Sequence, residues 1–290
     1  MQTLHASTSP VDPAPPPVHG WRRFLLSRHS SLLTHGSLLL LTGAMFGLLL
    51  TLPFWLAFLP CALMQHRIGV LLHEYIHGIP FRRYRSNLRV LSAFDGLLLM
   101  FGLLELFRGT HLSHHRWLNT ERDPAFAAAL DNSRSALGAI AALEGVQHLI
   151  YLVQSLRGGG GSPYVVASRI ALGMGLSLAW IAAWILLEYS AMPLKLIALA
   201  VYNTLIPVSF RGAIEHHSHP GDEGFANEYR VVLPLFNLNK HIHHHQNPRL
   251  PWYLLEYRTE RPLWTWHYFT YWFRVYIRRD LVMMRPFRRD

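Results

Sequence analysis

The sequence predicts an all-α integral membrane protein, with about four transmembrane helices, further interfacial or re-entrant helices, and a His-rich cap on the cytoplasmic face. Three observations predict it. Hydrophobic residues make up 51% of the 290 and charged residues only 15%, against a usual charged share of about 25%. This excludes a disordered chain and argues against an ordinary water-soluble domain. The apolar residues fall in runs long enough to cross a bilayer, which takes about 20 residues. Basic residues flank those runs, so the formal charge of +10 reads as attraction to a membrane surface and not as a nucleic-acid footprint.

Residues 1–30 are expected to be a flexible leader, Pro-rich over its first 20 residues (Pro10, Pro13, Pro15, Pro16, Pro17) and without the apolar stretch of a secretory signal. Residues 31–290 then form a single domain. Residues 37–72 are almost wholly apolar and suit two crossings in a tight hairpin, turning at 51–53 because proline ends a helix; one long tilted helix is the alternative. Residues 88–107 are apolar but carry Asp95 and Glu105. A carboxylate at mid-bilayer costs from about 2.5 kcal/mol upward, so this stretch is expected to be re-entrant or interfacial. Its two acids are either polar anchors or partners of nearby Arg. Residues 136–156 read as an amphipathic helix, 158–161 as a glycine break, and 165–210 as two more crossings separated near 188–195. The last 80 residues are polar, His-rich, aromatic and basic; Trp252, Trp264, Trp266, Tyr268 and Tyr271 suit an interfacial aromatic belt. Arg22, Arg23 and Arg28 precede the first crossing, Arg67, Arg82, Arg83, Arg85 and Arg89 follow the second, and Arg211, Arg230 and Lys240 follow the last. Lys195 is nearly alone at the other end. The positive-inside rule places both termini in the cytoplasm.

The chemistry lies in histidine. Of 19 His, 12 fall in four clusters: His73-Glu74-Tyr75-Ile76-His77, His111-Leu112-Ser113-His114-His115, Glu215-His216-His217-Ser218-His219 and His241-Ile242-His243-His244-His245. Rings three or four apart share one helical face. Neutral imidazole suits iron, copper, zinc or nickel. Nine convergent rings (His73, His77, His111, His114, His115, His216, His241, His244, His245) are too many for one ion and about right for two, with His217, His219 and His243 as possible substitutes. His5, His19, His29, His35, His66, His148 and His267 read as ordinary polar residues. His73 to His77 also spells the H-E-x-x-H zinc-protease signature. That reading would leave most clustered His unused. A non-catalytic metal transporter is the other alternative. The single Cys61 excludes an intramolecular disulfide and a Cys-rich cluster.

HEYIH, HLSHH and HIHHH, in that order around two apolar hairpins, resemble the histidine boxes of the membrane fatty acid desaturase and hydroxylase superfamily. The resemblance continues through His115-Arg116-Trp117-Leu118-Asn119 to Asp123-Pro124, through Glu215-His216 after the last crossing, and from Asn239-Lys240-His241 to Pro248 and Pro251. It covers roughly residues 35–260. It implies a non-haem di-iron centre at the cytoplasmic membrane face, held by the nine His above, with O2 as co-substrate and oxidation of a C–H bond in an acyl or lipid-like molecule. It also implies a separate ferredoxin- or rubredoxin-type electron donor with its reductase; the charge reading above leaves no nucleic acid among the expected partners. Glu74, Asp123 and Glu215 adjoin the boxes and could accept ring N–H groups, with Asn239 grouped beside them; for Asp123 a cap or turn before Pro124 is the other reading.

Two residues separate His111 from His114-His115, as in acyl-lipid desaturases and in carotenoid ketolases; alkane hydroxylases usually have one more. Glu74 stands where desaturases commonly have Asp. The expected reaction is desaturation, with hydroxylation or ketone formation on a hydrophobic or specialised metabolite as the alternative.

Overall fold

A computed structural model describes residues 30–120, 122–123, 163–216, 226–231, 236–278 and 280. Residues 1–29 of the expected leader, the stretch 136–156, the glycines 158–161, and His5, His19, His29, His148, His217 and His219 lie outside the described residues.

The first apolar run forms α1 (Ser30–Thr51) and α2 (Phe54–Ile76). The break falls at Leu52–Pro53, where Pro53 precedes the first turn of α2 and its missing N–H costs nothing. Contacts run antiparallel: Thr34 meets Glu74, and the Cys61 thiol donates to the Met45 carbonyl at 3.5 Å. The run is therefore a hairpin, not one tilted helix. Met45, Leu49, Ala57 and Cys61 are buried between the helices, while Leu39, Leu40, Trp55 and Leu59 face outward, as lipid-facing positions do.

The expected single helix over 88–107 is two helices, α3 (Tyr84–Leu97) and α4 (Leu103–Trp117). Asp95 causes the break. Its carboxylate turns back and accepts the N–H groups of Gly102 at 2.7 Å and Leu104 at 3.0 Å, capping α4 from a neighbouring helix. The chain reverses through Leu99, Phe101 and Gly102, all with positive φ. Asp95 is thus the polar anchor, whereas Glu105 pairs with Arg108 at 2.5 Å and Arg169 at 3.6 Å.

Helix α5 (Pro163–Leu186) lies against this turn. A Cβ on Gly96 would stand 2.7 Å from Leu176 Cβ, and one on Gly173 would stand 2.9 Å from Gly102 Cα. Small residues allow this backbone approach, as in other membrane helix pairs. The next span begins as α6 (Met192–Asn203), loosens into a π-helical turn (Thr204–Val208) containing Pro207, and continues as α7 (Ser209–His216). It runs past the expected end at 210 and delivers His216. Lys195 donates to the Leu49 carbonyl at 2.8 Å, at the end of the hairpin away from the first box. Among the described residues, four helices are long and apolar enough to cross a membrane: Leu32–Thr51, Phe54–Ile76, Tyr164–Leu186 and Met192–His216.

The C-terminal part adds a short parallel pair, β1 (Tyr229–Arg230) with β2 (Leu263–Trp264), in the register Tyr229 to Leu263 and Arg230 to Trp264. This small sheet and an isolated antiparallel bridge between Glu228 and Lys240 depart from an all-α chain. Helices α8 (His241–Gln246) and α9 (Thr265–Phe273) flank it. Val70, Ile214, Tyr229, Leu238, Leu255 and Tyr268 form a core beneath the third box. The expected aromatic belt is only partial. Trp264 stacks on Trp266 at 4.8 Å, but Tyr268 is buried in this core and Trp252 packs on Phe236. The side chain of Tyr271 lies outside the described set.

Candidate metal centre

Four helices bring the boxes together. His73 and His77 end α2, His111, His114 and His115 lie in the last turns of α4, His216 closes α7, and His241, His244 and His245 come from α8. The ring nitrogens of His73, His77, His111, His115 and His244 lie within 4.8 Å of one another, as do those of His114, His216 and His245. His241 joins the second group, its Nε2 at 2.9 Å from His216 Nε2 and 3.0 Å from His245 Nε2.

Helical geometry explains the sorting. Residues four apart differ by about 400°, nearly the same direction, while residues three apart differ by about 300°. His111 and His115 therefore stay together in the first group and His114 swings to the second. In α8, His241 and His245 stay in the second group and His244 crosses to the first. Each HxxHH box sends two rings to one group and one to the other. This pairs α4 with α8 across both groups.

The donor set fits a pair of metal ions. Within the first group, Nε2 atoms lie 2.7 Å apart between His73 and His111, 2.9 Å between His115 and His111, 3.0 Å between His77 and His111 and between His244 and His115, and 3.3 Å between His77 and His73. Two nitrogens each about 2.1 Å from a metal are about 3.0 Å apart at a right angle and about 3.4 Å apart at a tetrahedral angle. The spacings match a site of more than four ligands, unlike four-coordinate zinc. Burial keeps these rings in the neutral, ligating form. It holds His77 down at about 3 and His241 at about 4, and His111, His115, His244 and His245 are likewise lowered, with the neighbouring rings adding to the effect.

Of the residues expected to orient these rings, Asp123 does so directly. Its oxygens lie 2.8 and 3.0 Å from His114 Nδ1 and one accepts the Asn119 N–H at 2.9 Å. The proton on Nδ1 leaves the Nε2 lone pair for the centre. Glu215 stands 3.6 Å from His241 Nε2 and is fixed by Arg211, at 2.6 and 3.0 Å, and by the Tyr229 hydroxyl at 2.7 Å. It places a buried negative charge beside the second group.

Two expectations need correction. Glu74 does not serve a ring N–H: it accepts from the Thr34 hydroxyl at 2.7 Å and the Trp252 N–H at 2.5 Å, tying α1 and the segment after α8 to the first box. A protease would need that carboxylate facing the metal as a base, and its two oxygens are occupied elsewhere. Asn239 braces the backbone instead, donating to the Tyr229 carbonyl and to the Tyr257 hydroxyl, both at 2.8 Å. His243 turns away, accepting the Glu256 N–H at 2.9 Å with its other nitrogen 2.8 Å from Arg258 Nη2. His35 bonds Tyr75 and packs on Phe81.

A cavity of about 150 Å³ opens beside the rings, lined by His73, His111, His114, His216 and His241 and by apolar groups including Leu98, Met100, Leu104 and Phe107. It reaches Gln65, His66 and Asn203, residues the sequence reading left without a function.

A membrane-type helical bundle that gathers paired polyhistidine groups at one end of its helices is the class of protein this geometry defines. The family description for fatty acid desaturases matches residues 49–275, most of the chain. The chain belongs to the fatty acid desaturase family. No match was found among curated proteins or among solved structures.

Proposed function

We propose that this chain is an O2-dependent di-iron oxidase that desaturates an acyl chain or a similar lipid-like molecule. The convergence of nine imidazoles in two groups beside an apolar cavity carries the reading. His73, His77, His111, His115 and His244 hold one iron, and His114, His216, His241 and His245 the other. Bound iron supplies the dioxygen chemistry that removes hydrogen from an unactivated C–H bond. Asp123 fixes the direction of His114, Glu215 offsets metal charge, and Leu98, Met100, Leu104 and Phe107 hold the alkyl chain and keep water from it.

The reaction balances as follows. A CH2–CH2 unit loses two hydrogens, O2 takes up these with two electrons and two protons, and two waters leave. The electrons come from a separate ferredoxin- or rubredoxin-type protein, because the single cysteine, Cys61, is buried in the helical hairpin and cannot build an iron–sulfur site. The basic balance of the chain suits an acidic donor. The rings and both termini face the cytoplasm in this reading, supported by Arg82, Arg83, Arg85 and Arg89 following the first box. Residues 31–290 act as one domain.

The test uses purified full-length protein, iron, a surrogate ferredoxin and reductase, and candidate lipids, with products read by mass spectrometry. Loss of two hydrogens supports desaturation. Gain of one oxygen replaces it with hydroxylation, and no oxygen consumption with any lipid overturns the oxidase.

A further inference from the structure

The cavity beside the rings does not end in hydrocarbon. Gln65, His66, Gly69 and His73 lie on one stripe of α2 and all four line it. From His66 to His73 the helix rises about 10 Å. At the far end Asn203, the last residue of α6, donates through Nδ2 to Gln65 Oε1 at 2.7 Å. The Arg67 guanidinium donates to His66 Nδ1 at 2.8 Å, so the ring proton sits on Nε2. The three side chains are 5%, 8% and 6% exposed for Gln65, His66 and Asn203.

Each keeps one polar atom unmet by the described residues: Gln65 Nε2, His66 Nε2 and Asn203 Oδ1. Reversing both amides exchanges their roles but still leaves one N–H donor and one acceptor. The set is therefore two donors and one acceptor, within helices that cross a bilayer. Polar groups at such depth are costly unless something meets them, and they mark functional sites.

A hydroxyl oxygen offers the hydrogen-bonding complement of this set. It accepts the two N–H groups and donates its own proton to the amide oxygen. An ether or ester oxygen would leave the acceptor unmet, and a methyl group would leave all three. His66 and Asn203 also line a second cavity, of about 440 Å³, that runs out to Leu59 and Leu63 on the exposed face of α2. The polar set thus stands between the lipid-facing surface and the rings.

Resting on the oxidase reading above, we infer that Gln65, His66 and Asn203 bind the hydroxyl group of an alcohol-bearing lipid substrate. That fixes the oxidised carbon about two helical turns from the oxygen. The polar set is a ruler, and the site of attack is counted from the hydroxyl and not from the methyl end.

The experiment uses the full chain in nanodiscs with iron, and 1-dodecanol, its methyl ether and dodecane at equal membrane mole fraction. Binding is read by thermal shift and by displacement. Wild type is expected to bind the alcohol at least about tenfold more tightly than the other two. Gln65→Met and Asn203→Leu reduce that preference toward unity while bound iron stays at the wild-type level. With an electron donor, 1-dodecanol and 1-hexadecanol are oxidised at the same carbon numbered from the hydroxyl. Equal binding of all three ligands by wild type overturns the inference, as does a site of attack that keeps its distance from the methyl end. A preference for the alcohol without oxygen consumption supports the hydroxyl site and sinks the oxidase instead, so the two failures are separable.

Discussion

His114 is directed toward the centre by another side chain, because Asp123 accepts a hydrogen bond from its Nδ1–H on one side and leaves Nε2 for the other. Asp123→Asn keeps the shape and loses the charge. Removing such a partner usually costs about 10–100-fold in metal affinity or activity, and chelator competition on purified protein will read that weakening. Neighbours in the third box give a sharper contrast. His244→Ala removes a ring from the first group and should release at least half the bound iron and abolish turnover. His243→Ala removes a ring that faces Glu256 and Arg258 and should leave iron content unchanged. Equal losses from the two would refute the assignment of directions. The gathering of the rings is legible in the sequence, since three- and four-residue spacing survives in any helix. Which way His243 turns is not legible, because it depends on partners 13 and 15 residues away. Gln65-His66-Arg67 is visible as a polar break in the apolar run, but its pairing is not, because Gln65 and Asn203 meet across 138 residues.

The turn between α3 and α4 shows what an element inherits from its neighbours. The composition of 88–107 reads as one helix, and nothing local except Asp95 and two glycines marks the reversal. The reversal is held by the Asp95 cap and completed by α5, which approaches to backbone contact at Gly96, Gly102 and Gly173. Gly102 has φ +90 and its missing Cβ would meet Ile170 at 2.8 Å. Gly102→Ala should therefore destabilise the protein by about 1–3 kcal/mol, read as a lower Tm in detergent. Gly175, between the contact residues Gly173 and Leu176 on α5, has open space around it, and Gly175→Ala should be neutral or slightly stabilising through helix propensity. A Gly175→Ala loss as large as that of Gly102→Ala would show that the close approach is not what shapes the turn. The four long apolar spans were readable because hydrophobic length is a local property. The π-helical turn at Thr204–Val208, which lets the last span reach His216, was not.

At the scale of the molecule, the paired groups join α2, α4, α7 and α8, elements from one end of the bundle to the C-terminal part. Metal bound only by the folded chain stabilises it through mass action, by about 2.7 kcal/mol at a hundredfold excess over Kd. Chelation should lower Tm, and added iron should restore it; a melting curve indifferent to chelator would mean that the rings do not cross-link these helices. The spans and the boxes together were enough to place the chain in its family, because both rest on patterns carried by contiguous residues. The cavity that opens toward the exposed face of α2 is not legible in this way, because it is built where α2 meets α6 and α7. The metal content of the purified full-length protein tests the account most directly. Nine imidazoles in two groups predict two iron ions per chain, with loss when His77 or His244 is replaced by Ala. A single zinc per chain, or iron retained after both replacements, would contradict it.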